Sequence, residues 1–284
     1  LRSKANGVIN LMGGVGTVIA TLGVARLFDA NQYIPFVLAS LLLLLAIFLL
    51  FATVREPRVE DLAPEEGHEK SEQEEALTGL RGVRSIPATN RRSLILLLLA
   101  IFFWFVGYSG TSTFFTSYAV NVLKVSEGFA PTLFGIAGIT FILFAIPAGF
   151  IGERIGRRRT IMLGLAIFAA LLVVAFFVPN MYVIAGVLGF GGLGWALVNI
   201  NSLPMVVDMT RDPRLLGTFT GLYYLASQLA SSSGPTLSGA LIDLTGRNYS
   251  SIFLLTPAFF LLAILCMAFV RHGEAHVETA PPAA

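Results

Sequence analysis

The residues able to make directional contacts with a solute are few, and they recur at helical intervals inside long apolar runs. Asn6, Asn10, Gly13 and Thr17 share one face, as do Trp104, Tyr108 and Thr111. Trp195, Asn199 and Ser202 form a third such face, and Thr220, Tyr224, Gln228 and Ser231 a fourth. Each face pairs amide or hydroxyl groups with a ring or a small residue. Aromatic faces cover C–H patches while amides exchange hydrogen bonds with hydroxyls, so these surfaces suit an uncharged polyhydroxy ligand. The same residue types also join one membrane helix to another, for about 0.6 kcal/mol per bond on average. Asn10, Trp104, Tyr108, Asn199, Tyr224 and Gln228 are the candidate ligand contacts. Tyr224 and Gln228 lead the set because the Gly234-Pro235 break lies beside them.

Covalent chemistry has little to work with. His68, His272 and His276 all lie outside the apolar runs, and no nucleophile or paired carboxylates assemble within them. Cys266 stands alone, which removes a disulfide framework and a thiol metal site. No catalytic residue, metal or cofactor is therefore expected, and a membrane enzyme is the most distant reading. Nothing in the chain points to nucleic acid.

The elements that must position these faces follow from composition. Over 284 residues the apolar content is 55%, the mean hydropathy +0.78 and the charged fraction only 13%, about half of what soluble domains carry. Eight apolar runs are long enough to cross roughly 30 Å of hydrocarbon. Their spans are 6–28, 33–54, 94–119, 131–152, 160–178, 182–207, 215–242 and 251–270. None alternates with period two, so the backbone must satisfy its hydrogen bonds within helices. The chain is expected to be all-α and polytopic.

Basic residues set the orientation. If the N-terminus is cytoplasmic and the spans alternate, all of the 19 Lys and Arg residues except Arg26, Lys124 and Arg247 fall on the cytoplasmic side. Both termini are then cytoplasmic, in a cell membrane. Residues 55–92 form a polar stretch, acidic from Glu56 to Glu75 and basic from Arg81 to Arg92, and read as a cytoplasmic linker. The expected organisation is two helices in 1–54, the linker 55–92, six helices in 93–272 and a cytoplasmic tail in 273–284. No Asp, Glu, Lys, Arg or His sits near the centre of any span. A mid-membrane charge costs about 2.5–3.5 kcal/mol and is kept only for function, so no proton or sodium site is visible in these runs.

Charge is concentrated instead in "GFIGERIGRRR", residues 149–159, between two uncharged runs. As a basic cytoplasmic loop it anchors topology, at about 1 kcal/mol per residue. Written Gly149-x-x-x-Glu153-Arg154-x-Gly156-Arg157-Arg158, it resembles the second-half signature loop of the major facilitator superfamily, with Glu153 in place of the usual aspartate. The resemblance implies a gating role for Gly149, Glu153, Arg154, Gly156, Arg157 and Arg158, locking or releasing one conformation. It also implies two parallel six-helix bundles joined by a cytoplasmic linker.

A weak internal repeat fits that plan: a shift of 214 positions superposes Gly7 on Gly221, Leu27 on Leu241 and Asp29 on Asp243. The first span then corresponds to the fifth helix of its bundle, and the chain, opening at "LRSKANG" without Met, is expected to be an N-terminally truncated fragment. "RSKANGVINLMGG" and "GTFTGLYYLASQLASSSGPTLSGALIDLTG" further resemble the fifth and eleventh helices of the glycoside-pentoside-hexuronide and plant sucrose symporter group. That resemblance implies cation-coupled uptake of a sugar or glycoside by alternating access, with the coupling proton or sodium ion held by the absent helices. The alternative keeps the fold and changes the cargo to a drug or another metabolite. The resemblance also implies that spans 33–54, 160–178 and 251–270, the most purely apolar, face lipid. The glycines of "GVLGFGGLGWAL" spell a dinucleotide pattern but lie inside a membrane-length run, so close helix packing accounts for them.

Overall fold

The computed structural model describes residues 25–53, 88–210 and 215–273, with scattered positions between 12 and 23. Eight α-helices run through these residues: α1 Ala25–Ala30, α2 Ile34–Thr53, α3 Ala88–Asn121, α4 Ala130–Ile155, α5 Arg157–Phe177, α6 Met181–Val207, α7 Leu216–Leu244 and α8 Ile252–Ala268. No strand occurs among the described residues. The 6–28 span lies largely outside them, as do most of the linker and the tail beyond 273.

Local chemistry sets the boundaries. A single residue, Gly156, separates α4 from α5 at φ 92° and ψ 139°, a region that side chains with a Cβ avoid. Asn180 caps α6, its Oδ1 accepting from the backbone N–H of Tyr182 at 2.9 Å and of Val183 at 3.4 Å. Pro131, the second residue of α4, lies in its first turn, where a missing N–H costs no helical bond. Asn248 accepts from the Ser250 N–H at 3.1 Å and sets the short 3₁₀ turn that leads into α8.

The helices α3 to α8 pack as two interlocked triplets. α3 lies against α7 and α8, α6 lies against α4 and α5, and α5 meets α8. Exchanging α3–α4–α5 for α6–α7–α8 leaves this pattern unchanged. Because three alternating spans separate equivalent helices, the triplets are inverted with respect to each other.

Glycine makes the close crossings possible. A Cβ on Gly110 would overlap Ser238 Oγ, and one on Gly234 would overlap Ser109 Oγ and the Val106 carbonyl, so α3 and α7 meet backbone to backbone. On α6, a Cβ at Gly192 would strike the Ala137 carbonyl of α4, while one at Gly194 would sit 2.9 Å from the Gly164 carbonyl of α5. The glycine run of α6 is thus a packing seam facing two neighbours.

Six of the described helical segments are long and apolar enough to cross a membrane: Ile34–Thr53, Asn90–Asn121, Ala130–Ile155, Arg157–Phe177, Met181–Val207 and Tyr249–Ala268. The helix α7 is long enough at 29 residues but is too polar to qualify by composition. Its polarity is not spread evenly. Phe219, Tyr223, Ser227, Ala230, Gly234, Ser238 and Ile242 form its buried face, Leu225 and Leu229 are exposed on one flank, and Tyr224, Gln228 and Ser232 are exposed on another. In contrast, α2 buries no residue, and Leu41, Leu45, Phe48 and Phe51 along it are exposed.

Candidate functional site

Two features combine chemistry-bearing residues: an aromatic and polar cluster between α3, α6 and α7, and a linked set of helix ends around the arginine loop. The cluster is built on a stack. Tyr108 of α3 and Trp195 of α6 lie face to face with centroids 3.9 Å apart. Phe105, one turn before Tyr108, meets Trp195 edge-on at 5.5 Å and Tyr223 edge-on at 6.4 Å. Tyr223 in turn meets Tyr224 at 5.3 Å, and its hydroxyl shares a 3.2 Å hydrogen bond with Ser202 of α6. The chain of rings therefore runs from the buried Trp195 to the exposed edge at Tyr224, which is 51% accessible. Gln228, one turn on, is exposed on the same flank of α7, and Asn199, one turn beyond Trp195, is half-buried. An arrangement of rings bordered by amides and free of formal charge can stack on an apolar face of a solute and hydrogen-bond its polar edge.

Not every residue of the sequence-derived faces joins this cluster. Trp104 is fully buried, and its Nε1–H has no acceptor among the described residues. The reason is that α3 is flanked by both α7 and α8, so the Trp104 turn looks into the core while the Tyr108 turn reaches α6. Thr111 is buried as well: its hydroxyl bonds the Thr256 hydroxyl at 2.6 Å, and Thr256 donates to the Gly107 carbonyl at 2.9 Å. That pair joins α3 to α8 and is helix glue. Asn10 lies outside the described residues.

The second feature gathers four helix ends. Arg157, the first residue of α5, pairs with Asp208 at the end of α6, and the Arg158 guanidinium donates to the Ala268 carbonyl at the end of α8. A cation on these last carbonyls complements the negative end of the α8 dipole. Ser93 of α3 bonds His272 Nδ1 at 3.1 Å and accepts from the Arg271 backbone N–H at 3.3 Å. The acidic partner in this set is Asp208, whereas Glu153 and Arg154 are exposed at the end of α4. Gly149 is not a tight contact, since a Cβ there would meet only Ile200 Cγ2 at 3.8 Å. The crowded glycine is Gly152, where a Cβ would overlap Asn201 Oδ1. Asn201 itself is buried on α6 and donates to the Ala148 carbonyl at 3.0 Å and the Leu197 carbonyl at 2.9 Å. Sequence reasoning missed Gly152 and Asn201; the sole signal was a second glycine three residues after Gly149.

No group of His, Cys, Asp or Glu residues among those described is placed to hold a metal ion. Two inverted helical triplets, with a polar cluster inside and a basic set of helix ends, define a polytopic helical membrane protein. The Major Facilitator Superfamily model matches residues 1–144 and 121–284, and the chain belongs to that superfamily. The proline/betaine transporter of Escherichia coli (strain K12) is 28% identical over 278 residues, 95% of this chain and 53% of its own length. The uncharacterized MFS-type transporter YxiO of Bacillus subtilis is 26% identical over 182 residues, 63% of this chain and 41% of its own. The multidrug resistance protein Stp of Mycobacterium tuberculosis is 27% identical over 132 residues, 46% and 24% of the respective lengths. The chain thus spans about half, or less, of the curated relatives it matches.

Proposed function

We propose that this chain belongs to a secondary transporter that moves a small polar solute of no net charge across the membrane by alternating access. The observation that carries the reading is the continuity from the Tyr108–Trp195 stack through Tyr223 to the exposed pair Tyr224 and Gln228. Asn199, one turn beyond Trp195, borders it. A formal charge on the cargo would call for a compensating Arg, Lys, Asp or Glu in the spans, where burying it alone is costly. The helix ends around Gly149, Glu153, Arg154, Gly156, Arg157 and Arg158 would then hold one conformation closed, since the Arg157–Asp208 pair and the Arg158–Ala268 bond tie three helices together.

Within this reading the cargo is a sugar or glycoside, supported by the sequence of the first span and of α7. Its uptake would be coupled to a proton or sodium ion bound by carboxylates outside these spans. A second reading, a zwitterion such as betaine, is favoured by the proline/betaine relative that aligns along nearly the whole chain. Aromatic faces serve that cargo too, because ring quadrupoles attract a methylated ammonium group. Uptake of radiolabelled sucrose and of glycine betaine into proteoliposomes holding the full-length protein, with and without proton or sodium gradients, separates them. Saturable sucrose uptake that rises with a gradient supports the sugar reading, and saturable betaine uptake alone supports the second. Failure of both, with either gradient, would overturn the sugar and the betaine readings.

A further inference from the structure

A separate cavity of about 340 Å³ lies at the opposite end of the bundle from the arginine loop. Phe28 of α1 and Pro35 of α2 form one wall, and Thr116, Ser117, Val120, Asn121, Glu127 and Pro131 form the rest, from the end of α3 through the loop to the start of α4. Its size falls in the range of small-molecule sites. None of the candidate contacts of the aromatic cluster lines it.

The chemistry of this wall is one-sided. Among the described residues Glu127 is the sole ionisable residue of the wall, and it forms no ion pair with any of them. Lys124, three positions away, is exposed and does not neutralise it within salt-bridge distance. The Asn121 amide commits its Nδ2 to the Ser117 carbonyl at 2.8 Å, which leaves Oδ1 as an acceptor. The Thr116 and Ser117 hydroxyls add further oxygen atoms. The remaining lining is the Phe28 ring, Val120 and two prolines, which have no N–H to offer. A cavity with one carboxylate, several acceptor oxygens, an aromatic ring and an apolar wall matches a small organic cation, an amine or a quaternary ammonium, by charge, by hydrogen bonding and by cation–π attraction.

We propose that this cavity binds a small organic cation and that the bound cation bridges the α1–α2 segment to the α3–α4 hairpin. Walls from two stretches of chain that residues 54–87 separate in sequence make the consequence specific. A ligand that touches both stretches favours the arrangement in which they adjoin. If transport proceeds by the relative movement of two helical bodies, which is the function proposed above, the cation slows turnover by holding them together.

Choline is the probe, and 3,3-dimethyl-1-butanol, its uncharged isostere, is the control. In full-length protein with every native cysteine, Cys266 among them, replaced by serine and Val120→Cys introduced, labelling by N-ethylmaleimide reports on the cavity alone. Choline at millimolar concentration is expected to slow labelling several-fold, the isostere to leave it unchanged, and Glu127→Gln to abolish the protection. Phe28→Leu serves as a second variant, expected to weaken protection, should Glu127→Gln reduce the yield of folded protein. Equal protection by the isostere, or protection that survives both substitutions, overturns the cation site. Inhibition of solute uptake by choline, lost in Glu127→Gln, tests the bridging consequence. Protection without inhibition leaves the site standing and overturns the bridge, whereas absence of any uptake strikes at the transport reading and leaves the labelling result intact.

Discussion

Tyr108 and Trp195 lie ring on ring, 3.9 Å between centroids and 2° from parallel, and this stack ties α3 to α6. These are the first helices of the two inverted triplets, so the stack sits where the halves of the repeat meet. Neither ring is replaceable by an aliphatic side chain without opening a gap at that junction.

Trp195→Ala is accordingly expected to destabilise the protein by about 3–5 kcal/mol, the usual loss for a large buried ring. Trp195→Phe keeps a ring against Tyr108 but leaves part of the space empty, and is expected to cost about 1–3 kcal/mol, less than Trp195→Ala. Thermal unfolding in detergent measures both. Solute uptake at equal amounts of folded protein should fall further for Trp195→Ala than for Trp195→Phe.

Gly152 and Asn201 predict a coupled pair. A Cβ at 152 overlaps the Asn201 carboxamide, which in turn holds the Ala148 and Leu197 carbonyls. Gly152→Ala alone is expected to cost about 1–3 kcal/mol through overpacking. Asn201→Ala vacates that space while giving up its two bonds. The double variant should therefore lie closer to Asn201→Ala than additivity allows, and a double-mutant cycle on unfolding free energies reads the coupling. Strict additivity would show that the two residues do not meet.

The arginine loop separates two glycines that look alike in sequence. Gly156 holds φ 92°, and an alanine there is expected to cost on the order of 1–3 kcal/mol in backbone strain. Gly149 has a helical backbone and an open side, so Gly149→Ala should be within about 0.5 kcal/mol of the parent, or slightly more stable, because alanine favours helix. A signature-loop pattern treats both glycines as fixed; unfolding temperatures of the two variants should separate them clearly.

Asp208 is partly exposed, so its pair with Arg157 contributes modestly to stability, on the order of 0–1 kcal/mol. Asp208→Asn is expected to shift the unfolding temperature little yet change transport turnover, because it releases the start of α5 from the end of α6. Glu153→Gln, at an exposed position without an ion pair among the described residues, should change turnover less. Equal effects of the two on turnover would remove Asp208 from the gate.

Much of the helical layout was legible because a bilayer demands long apolar runs. The run 33–54 became Ile34–Thr53, 182–207 became Met181–Val207, and 251–270 became Ile252–Ala268 after its short turn. Helical periodicity also groups Trp104, Tyr108 and Thr111 on one face of α3. It does not say what lies opposite each turn, and there the three part: Trp104 meets core, Tyr108 meets Trp195, Thr111 meets Thr256. Close approaches such as Gly110 to Ser238, or Gly152 to Asn201, are equally hidden, since the demand for glycine comes from a partner far away in sequence. The acid that partners the arginine loop was hidden for the same reason, being 51 positions away at the C-terminal cap of α6 rather than within the loop.

Thr111 and Gln228 give the sharpest test of which polar residues meet cargo. Both sit at helical spacing from an aromatic residue, yet Thr111 is buried against Thr256 while Gln228 is exposed beside Tyr224. Thr111→Val removes a buried hydroxyl pair and leaves Thr256 its bond to Gly107, so a loss of about 1 kcal/mol in stability is expected with little change in the KM for solute. Gln228→Ala removes no intramolecular contact of that kind. Its unfolding temperature should match the parent, whereas KM should rise roughly tenfold if one hydrogen bond to the solute is lost, with Tyr224→Ala acting in the same direction. Should Gln228→Ala and Tyr224→Ala both leave KM and kcat unchanged, the exposed flank of α7 is a packing surface for other helices, and the solute must be held elsewhere in the cluster.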